Sequence, residues 1–116
     1  MKLRIQGNSL RLRVTQKEVA QLCDTGRVES SIELTPQRPL YYILERSGGA
    51  AVSGVFLDDV IRVSVPGNVI GQWAGSDHVS IESRSQAGVQ FLIEKDFQCL
   101  HKSPDRDPDA YPNPAD

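Results

Sequence analysis

Four cations open the chain with no acid among them: Lys2, Arg4, Arg11 and Arg13. Ammonium and guanidinium groups only donate hydrogen bonds, and the planar fork of arginine matches a carboxylate or phosphate. These cations alternate with Leu3, Ile5, Leu10, Leu12 and Val14. A period of two puts the apolar side chains on one face of a strand and the cations on the other. Gly7-Asn8 separates the two runs as a hairpin turn does, so the cations of paired strands come within cross-strand reach. Like charges directly opposite one another destabilise a sheet, and a bound anion relieves that cost. Lys2, Arg4, Arg11 and Arg13 are therefore the candidate anion-binding set, for a phosphate- or carboxylate-bearing ligand. Acids from a neighbouring strand, Glu29, Glu33 or Glu82, would balance the same charge without a ligand.

Other chemistry-bearing residues form no comparable set. Ser76-Asp77-His78 contains the residue types of a hydrolytic triad, but three adjacent residues do not converge as nucleophile, base and orienter. A turn accounts for them. Cys99 and His101 would share a strand face, yet two ligands make no zinc site, so neither metal nor cofactor is expected. The sequence has no glycine-rich phosphate loop, nucleophile elbow or dinucleotide fingerprint. Glu45-Arg46 and Glu94-Lys95 read as strand-end ion pairs, and the dense Glu-x-Glu run that triphosphate-hydrolysing barrels set against their basic rows is absent. No catalytic residue is assigned.

The elements that position the basic residues follow from pattern. Thr15-Gln-Lys-Glu18 is a capping box, and Val19, Leu22 and Cys23 at i, i+3, i+4 with Gly26 beyond predict a helix over 16–25. Arg27–Leu34 alternates as a strand, Thr35–Pro39 breaks it, and Leu40–Leu44 is an apolar run suited to a strand buried on both faces. Ala51–Phe56 and Val60–Val65 make a second hairpin across Leu57-Asp58-Asp59. Pro66 then starts a helix carrying Val69, Ile70 and Trp73, with Trp73 in the core. Strands at 78–83 and 90–93 complete the pattern. Tyr41 and Tyr42 point to opposite faces of their strand.

The second half reproduces the first at an offset of 51: Leu10, Leu12 and Val14 meet Ile61, Val63 and Val65, Val19 and Leu22 meet Ile70 and Trp73, and Val28 meets Val79. Toward the end the offset falls to 49. The expected architecture is α+β: a mostly antiparallel sheet or barrel-like system built from two β-β-α-β-β halves, 1–49 and 50–101, with two helices. A cleft is expected where the halves meet. One domain over 1–101 suits the length. Residues 102–116 form a tail rich in proline and aspartate, which would lie across the basic hairpin through Asp105, Asp107 and Asp109 with Tyr111 as its apolar anchor.

Composition narrows the setting. A net charge of −2 gives the whole molecule no bias toward nucleic acid or anionic membrane. No apolar run approaches the roughly 20 residues of a membrane span and the N-terminus lacks the apolar core of a signal peptide, so the expected compartment is the cytoplasm. Cys23 and Cys99 read as buried free thiols.

Both ends of the chain, K-L-R-I-Q-G-N-S-L-R-L-R and E-K-D-F-Q-C-L with D-A-Y-P-N-P, together with T-Q-K-E-V and T-G-R-V around the first helix, resemble a family of small bacterial proteins classed as a domain of unknown function. The resemblance implies a stand-alone bacterial cytosolic protein in which Tyr111–Pro114 belongs to the domain. It implies no activity. Two functions remain from the residues themselves. The first is a non-enzymatic binding or interaction module using the basic hairpin or the cleft between the halves. The alternative is a small metal-dependent enzyme on a phosphorylated or polyphosphate substrate, with Arg4, Arg11 and Arg13 as anion ligands and Glu29 or Glu82 as metal ligand or base. A bare edge strand would also allow a homo-oligomer.

Overall fold

Alternating apolar residues give eight strands, and two short amphipathic segments give helices. In the computed structural model, which describes residues 1–97 and residue 111, the order is β1 (Lys2–Gln6), β2 (Ser9–Val14), α1 (Gln16–Thr25), β3 (Arg27–Thr35), β4 (Arg38–Ser47), β5 (Ser53–Leu57), β6 (Val60–Pro66), α2 (Gly67–Ala74), β7 (Ser80–Arg84) and β8 (Gln90–Lys95). The strands form two four-stranded sheets, β1-β2-β8-β7 and β3-β4-β6-β5. Four pairings are antiparallel hairpins; the central pairs, β2 with β8 and β4 with β6, are parallel. The sheets are therefore mixed, and each keeps two edges, so the barrel-like closure is not formed.

Each helix carries the chain from one sheet to the other, α1 from β2 to β3 and α2 from β6 to β7. One core fills the space between sheets and helices: Leu12, Val14, Ile81, Phe91 and Ile93 from one sheet, Val28, Leu44, Val63 and Val65 from the other, with Leu22, Ile70 and Trp73 from the helices. Both sheets thus offer hairpins from both halves of the sequence.

Local chemistry sets the element ends. Both carboxylate oxygens of Glu18 are engaged at the start of α1: Oε1 accepts from the Thr15 backbone N–H (3.0 Å) and Oε2 pairs with the Met1 ammonium, while the Thr15 hydroxyl accepts from the Glu18 N–H. Gly26 closes α1 at φ 82°, the left-handed region where a Cβ is penalised. Asp58 and Asp59 both take positive φ (53° and 63°), a two-residue turn of the type that follows the twist of a hairpin. The break expected over Thr35–Pro39 shrinks to Pro36-Gln37, with Gln37 at φ 66°, because Arg38 pairs with Thr35 and the strand resumes at once.

Burial pushes the Glu18 carboxyl up, but the Met1 ammonium and the hydrogen bonds at Thr15 outweigh it and hold the group below its ordinary value. A depressed folded-state value means that this stabilisation is present above the unfolded value and is lost as pH falls through the folded one. Glu18→Gln is expected to cost about 1 kcal/mol at neutral pH and to flatten that part of the acid limb in urea titrations from neutral to acid pH.

Several side chains depart from the sequence pattern. Cys23 is exposed, since α1 rests on the sheets through Leu22 with only half-buried Val19 beside it. Ile32 and Leu34 are exposed because the end of the β3–β4 hairpin lies beyond the covered part of the sheet. Val79 is also exposed, and Ile81 takes the buried place opposite Ile93 that Val28 takes opposite Leu44.

Candidate functional site

The basic hairpin forms in the expected register, with Lys2 opposite Arg13 and Arg4 opposite Arg11. Its apolar side is held inward by Leu12 and Val14, each 1% exposed, so the cations stand on the outer surface of the first sheet. β8 runs beside β2 and sets Leu92 against Arg11 and Glu94 against Arg13, and β7 adds Glu82 next to Leu92.

Two of the four cations are occupied within the fold. Lys2 Nζ lies 3.0 Å from Asp96 Oδ2, and Arg11 Nε lies 2.7 Å from Glu94 Oε1. That Glu94 oxygen is buried and receives no properly directed hydrogen bond, so the Arg11 contact is one of charge and proximity. Arg4 and Arg13 differ. Among the described residues Arg4 Nη2 reaches only the Gln6 side-chain carbonyl at 3.1 Å, and Arg13, exposed, makes no ion pair. The two are diagonal cross-strand neighbours, a relation that separates backbones by about 7–8 Å and leaves long side chains within reach of a common ligand.

The acids that balance the face are Glu94 and Asp96. None of the three named from sequence does so: Glu29 is on the other sheet and pairs with Arg27 at 2.9 Å, Glu33 accepts from the Gln37 N–H at 2.8 Å, and Glu82 is exposed on β7 with Leu92 between it and Arg11. The signal for the real partners was the parallel β2–β8 pairing, which local alternation does not contain. A trace of it lay in Glu45-Arg46 and Glu94-Lys95. Glu45 pairs with Arg62 at 3.0 Å as Glu94 does with Arg11, and Arg46 and Lys95 donate to the carbonyls of Cys23 and Ser76 past or near the C-terminal ends of α1 and α2.

The enzyme alternative needs carboxylates converging with arginines in one concavity. The larger cleft, of about 590 Å³, lies elsewhere, between Val14, Gln16 and Val19 of the first half and Ala74, Asp77 and Lys95 of the second. Lys95 is already committed to the Ser76 carbonyl (2.7 Å) and stands 5.7 Å from the Trp73 ring centre. A smaller hollow of about 210 Å³ is bounded by Glu82, Ser83, Arg84 and Gln90. Neither contains Arg4, Arg11 or Arg13. Among the described residues no three His, Cys, Asp or Glu side chains group as a metal site would require. Ser76, Asp77 and His78 are exposed and form a turn in which the Ser76 hydroxyl accepts from the His78 N–H.

A family model matches residues 1–115, almost the whole chain, tail included. This protein belongs to DUF7009, a family of unknown function. Comparison with curated proteins and with solved structures finds no match. In this DUF7009 chain Tyr111 is 98% exposed, so it does not serve as an apolar anchor; the other tail residues, with Cys99 and His101, lie outside the described ones. No helix among the described residues is long and apolar enough to cross a membrane.

Proposed function

We propose that this protein is a non-enzymatic cytoplasmic binding module, and that Arg4 and Arg13 hold a phosphate or carboxylate group on the outer face of the first sheet. Among the described residues these two arginines are the members of the basic hairpin left without an ion pair. A second feature supports it. The chain reads as a tandem pair of β-β-α-β-β units, and the Arg11–Glu94 pair has a counterpart in Arg62–Glu45, whereas the positions matching Arg4 and Arg13 are Val55 and Ser64. Residues repeated in both units serve the scaffold. Arg4 and Arg13 belong to one unit only and add two exposed positive charges that the scaffold does without in the other.

The ligand class follows from the donors. Two guanidiniums offer planar, charge-assisted forks, each worth about 1.5–3 kcal/mol to an ionised acceptor. Calorimetric titration with tripolyphosphate and citrate is the test. The double variant Arg4→Gln/Arg13→Gln is expected to weaken binding at least about tenfold. Lys17→Glu, which lowers the net charge by the same two units at an exposed position of α1, is expected to leave it unchanged. Equal weakening by Lys17→Glu would reduce the effect to net charge and end the proposal.

A further inference from the structure

The four edge strands of the two sheets are not equally guarded. β1 carries Lys2 and Arg4, β3 carries Arg27, Glu29 and Glu33, and β7 carries Glu82 and Arg84. β5, Ser-Gly-Val-Phe-Leu, carries no charge and no proline, and all five residues are exposed. Charge, proline and bulges are the usual devices that stop an edge from pairing with another chain, and β5 has none of them within its length. Its apolar side chains are large and bare: Val55, Phe56 and Leu57 are 55%, 68% and 66% exposed.

We propose that β5 pairs antiparallel with β5 of a second copy, centred on Val55, to make a two-fold homodimer with a continuous eight-stranded sheet. The backbone parity fits. The two-residue turn Asp58-Asp59 makes Leu57 and Val60 a hydrogen-bonded pair, and alternation gives the same role to Val55 and Ser53. Gly54 and Phe56 therefore direct their N–H and C=O groups away from β6, toward the open edge. Centring on Val55 sets Gly54 against Phe56 of the second copy, and Phe56 against its Gly54, so both outward-facing residues bond to each other twice around the axis.

Side chains agree with the same register. Gly54 and Phe56 share the inner face, where the ring of Phe91 stands over Gly54. A phenylalanine arriving from the second copy would lie beside a residue with no side chain and next to that ring, so both Phe56 and both Phe91 rings would gather about the axis. Glycine opposite an aromatic is a complementary pair; phenylalanine opposite phenylalanine on the same edge would not be. On the outer face Val55 meets Val55; the residue beside it on β6 is Arg62, ion-paired with Glu45, and the adjacent row of Leu57, Val60 and Tyr41 is apolar. The corresponding centre of β1 is Arg4, where the same register would oppose two guanidiniums. A second copy is favoured over an unrelated extended peptide because the strand supplies both halves of its own complement.

One five-residue strand pairing is small against the roughly 1,000 Å² of a permanent interface, so the association is concentration-dependent, in the micromolar range. Sedimentation equilibrium of the full chain over roughly 1–500 μM tests it. The expected result is a weight-average mass rising from the monomer value of 12.8 kDa toward twice that value. Val55→Lys opposes two ammonium groups at the axis and is expected to weaken the dimer at least about tenfold, with part of the loss recovered in high salt. Phe56→Ala is expected to weaken it as well without moving the melting temperature of the monomer, since the ring is largely exposed. A wild-type chain that stays monomeric throughout overturns the proposal, as does a dimer that both variants leave intact.

Discussion

Replacing Trp73 with alanine is expected to lower the unfolding free energy by about 3–5 kcal/mol, in a chain whose total should be roughly 6–17 kcal/mol. The residue is 2% exposed and lies in the core that joins α2 to both sheets. Its indole N–H donates to the Val79 carbonyl at 3.1 Å, and Lys95 stands against the ring while bonding to Ser76. Removing it opens a cavity, takes one of two donors from the Val79 carbonyl, which keeps the Lys95 N–H at 3.0 Å, and loosens the segment that leads into β7. The melting temperature should fall by roughly 15–25 °C. Trp73→Phe separates the contributions, because it keeps most of the apolar volume and loses the hydrogen bond, and it should cost about 1–3 kcal/mol. Circular dichroism is the appropriate probe for both variants, as Trp73 is the sole tryptophan of the chain. A loss below about 1 kcal/mol for the alanine variant would mean that the helix does not close the core.

Gly54→Ala is the second large effect, and here two contributions oppose. An alanine in a strand is ordinarily favoured over glycine by about 0.5–1 kcal/mol, because glycine gives up more backbone freedom on folding. At this position a Cβ would stand 2.7 Å from two atoms of the Phe91 ring, which is itself 5% exposed and hemmed in by the core. Overpacking of that kind costs about 1–3 kcal/mol, so the net change should be a destabilisation of roughly 1–2 kcal/mol. Its cause is checked by a double-mutant cycle in chemical denaturation. In a Phe91→Leu background the ring is gone, and Gly54→Ala should become neutral or stabilising. An equal penalty in both backgrounds would place the cause in the backbone and not in the approach of the two sheets.

The sequence was informative wherever structure depends on neighbours along the chain. The capping box Thr15–Glu18, the left-handed Gly26 and the alternation of residues 2–14 each specify a local conformation, and each is present. The basic face was partly legible for the same reason. Alternation placed Lys2, Arg4, Arg11 and Arg13 on one face, but it did not say which strand would lie beside them. That choice decided which cations remained available, since Asp96 and Glu94 neutralise Lys2 and Arg11. Cys23 shows the same limit on a helix: three apolar residues at helical spacing define a stripe, and the distance to the sheets decides how much of it is covered.

Faces, turns, helix caps and the repeated apolar spacing were thus fixed by local sterics and hydrogen bonding, which residue types and their spacing encode directly. Tertiary structure alone decided that β2 lies parallel to β8 and β4 parallel to β6, that the sheets stay open with four edges, and that only one edge is free of charge. These outcomes depend on how much apolar area two sheets and two helices can bury together. That quantity belongs to the whole assembly, and no window of sequence contains it.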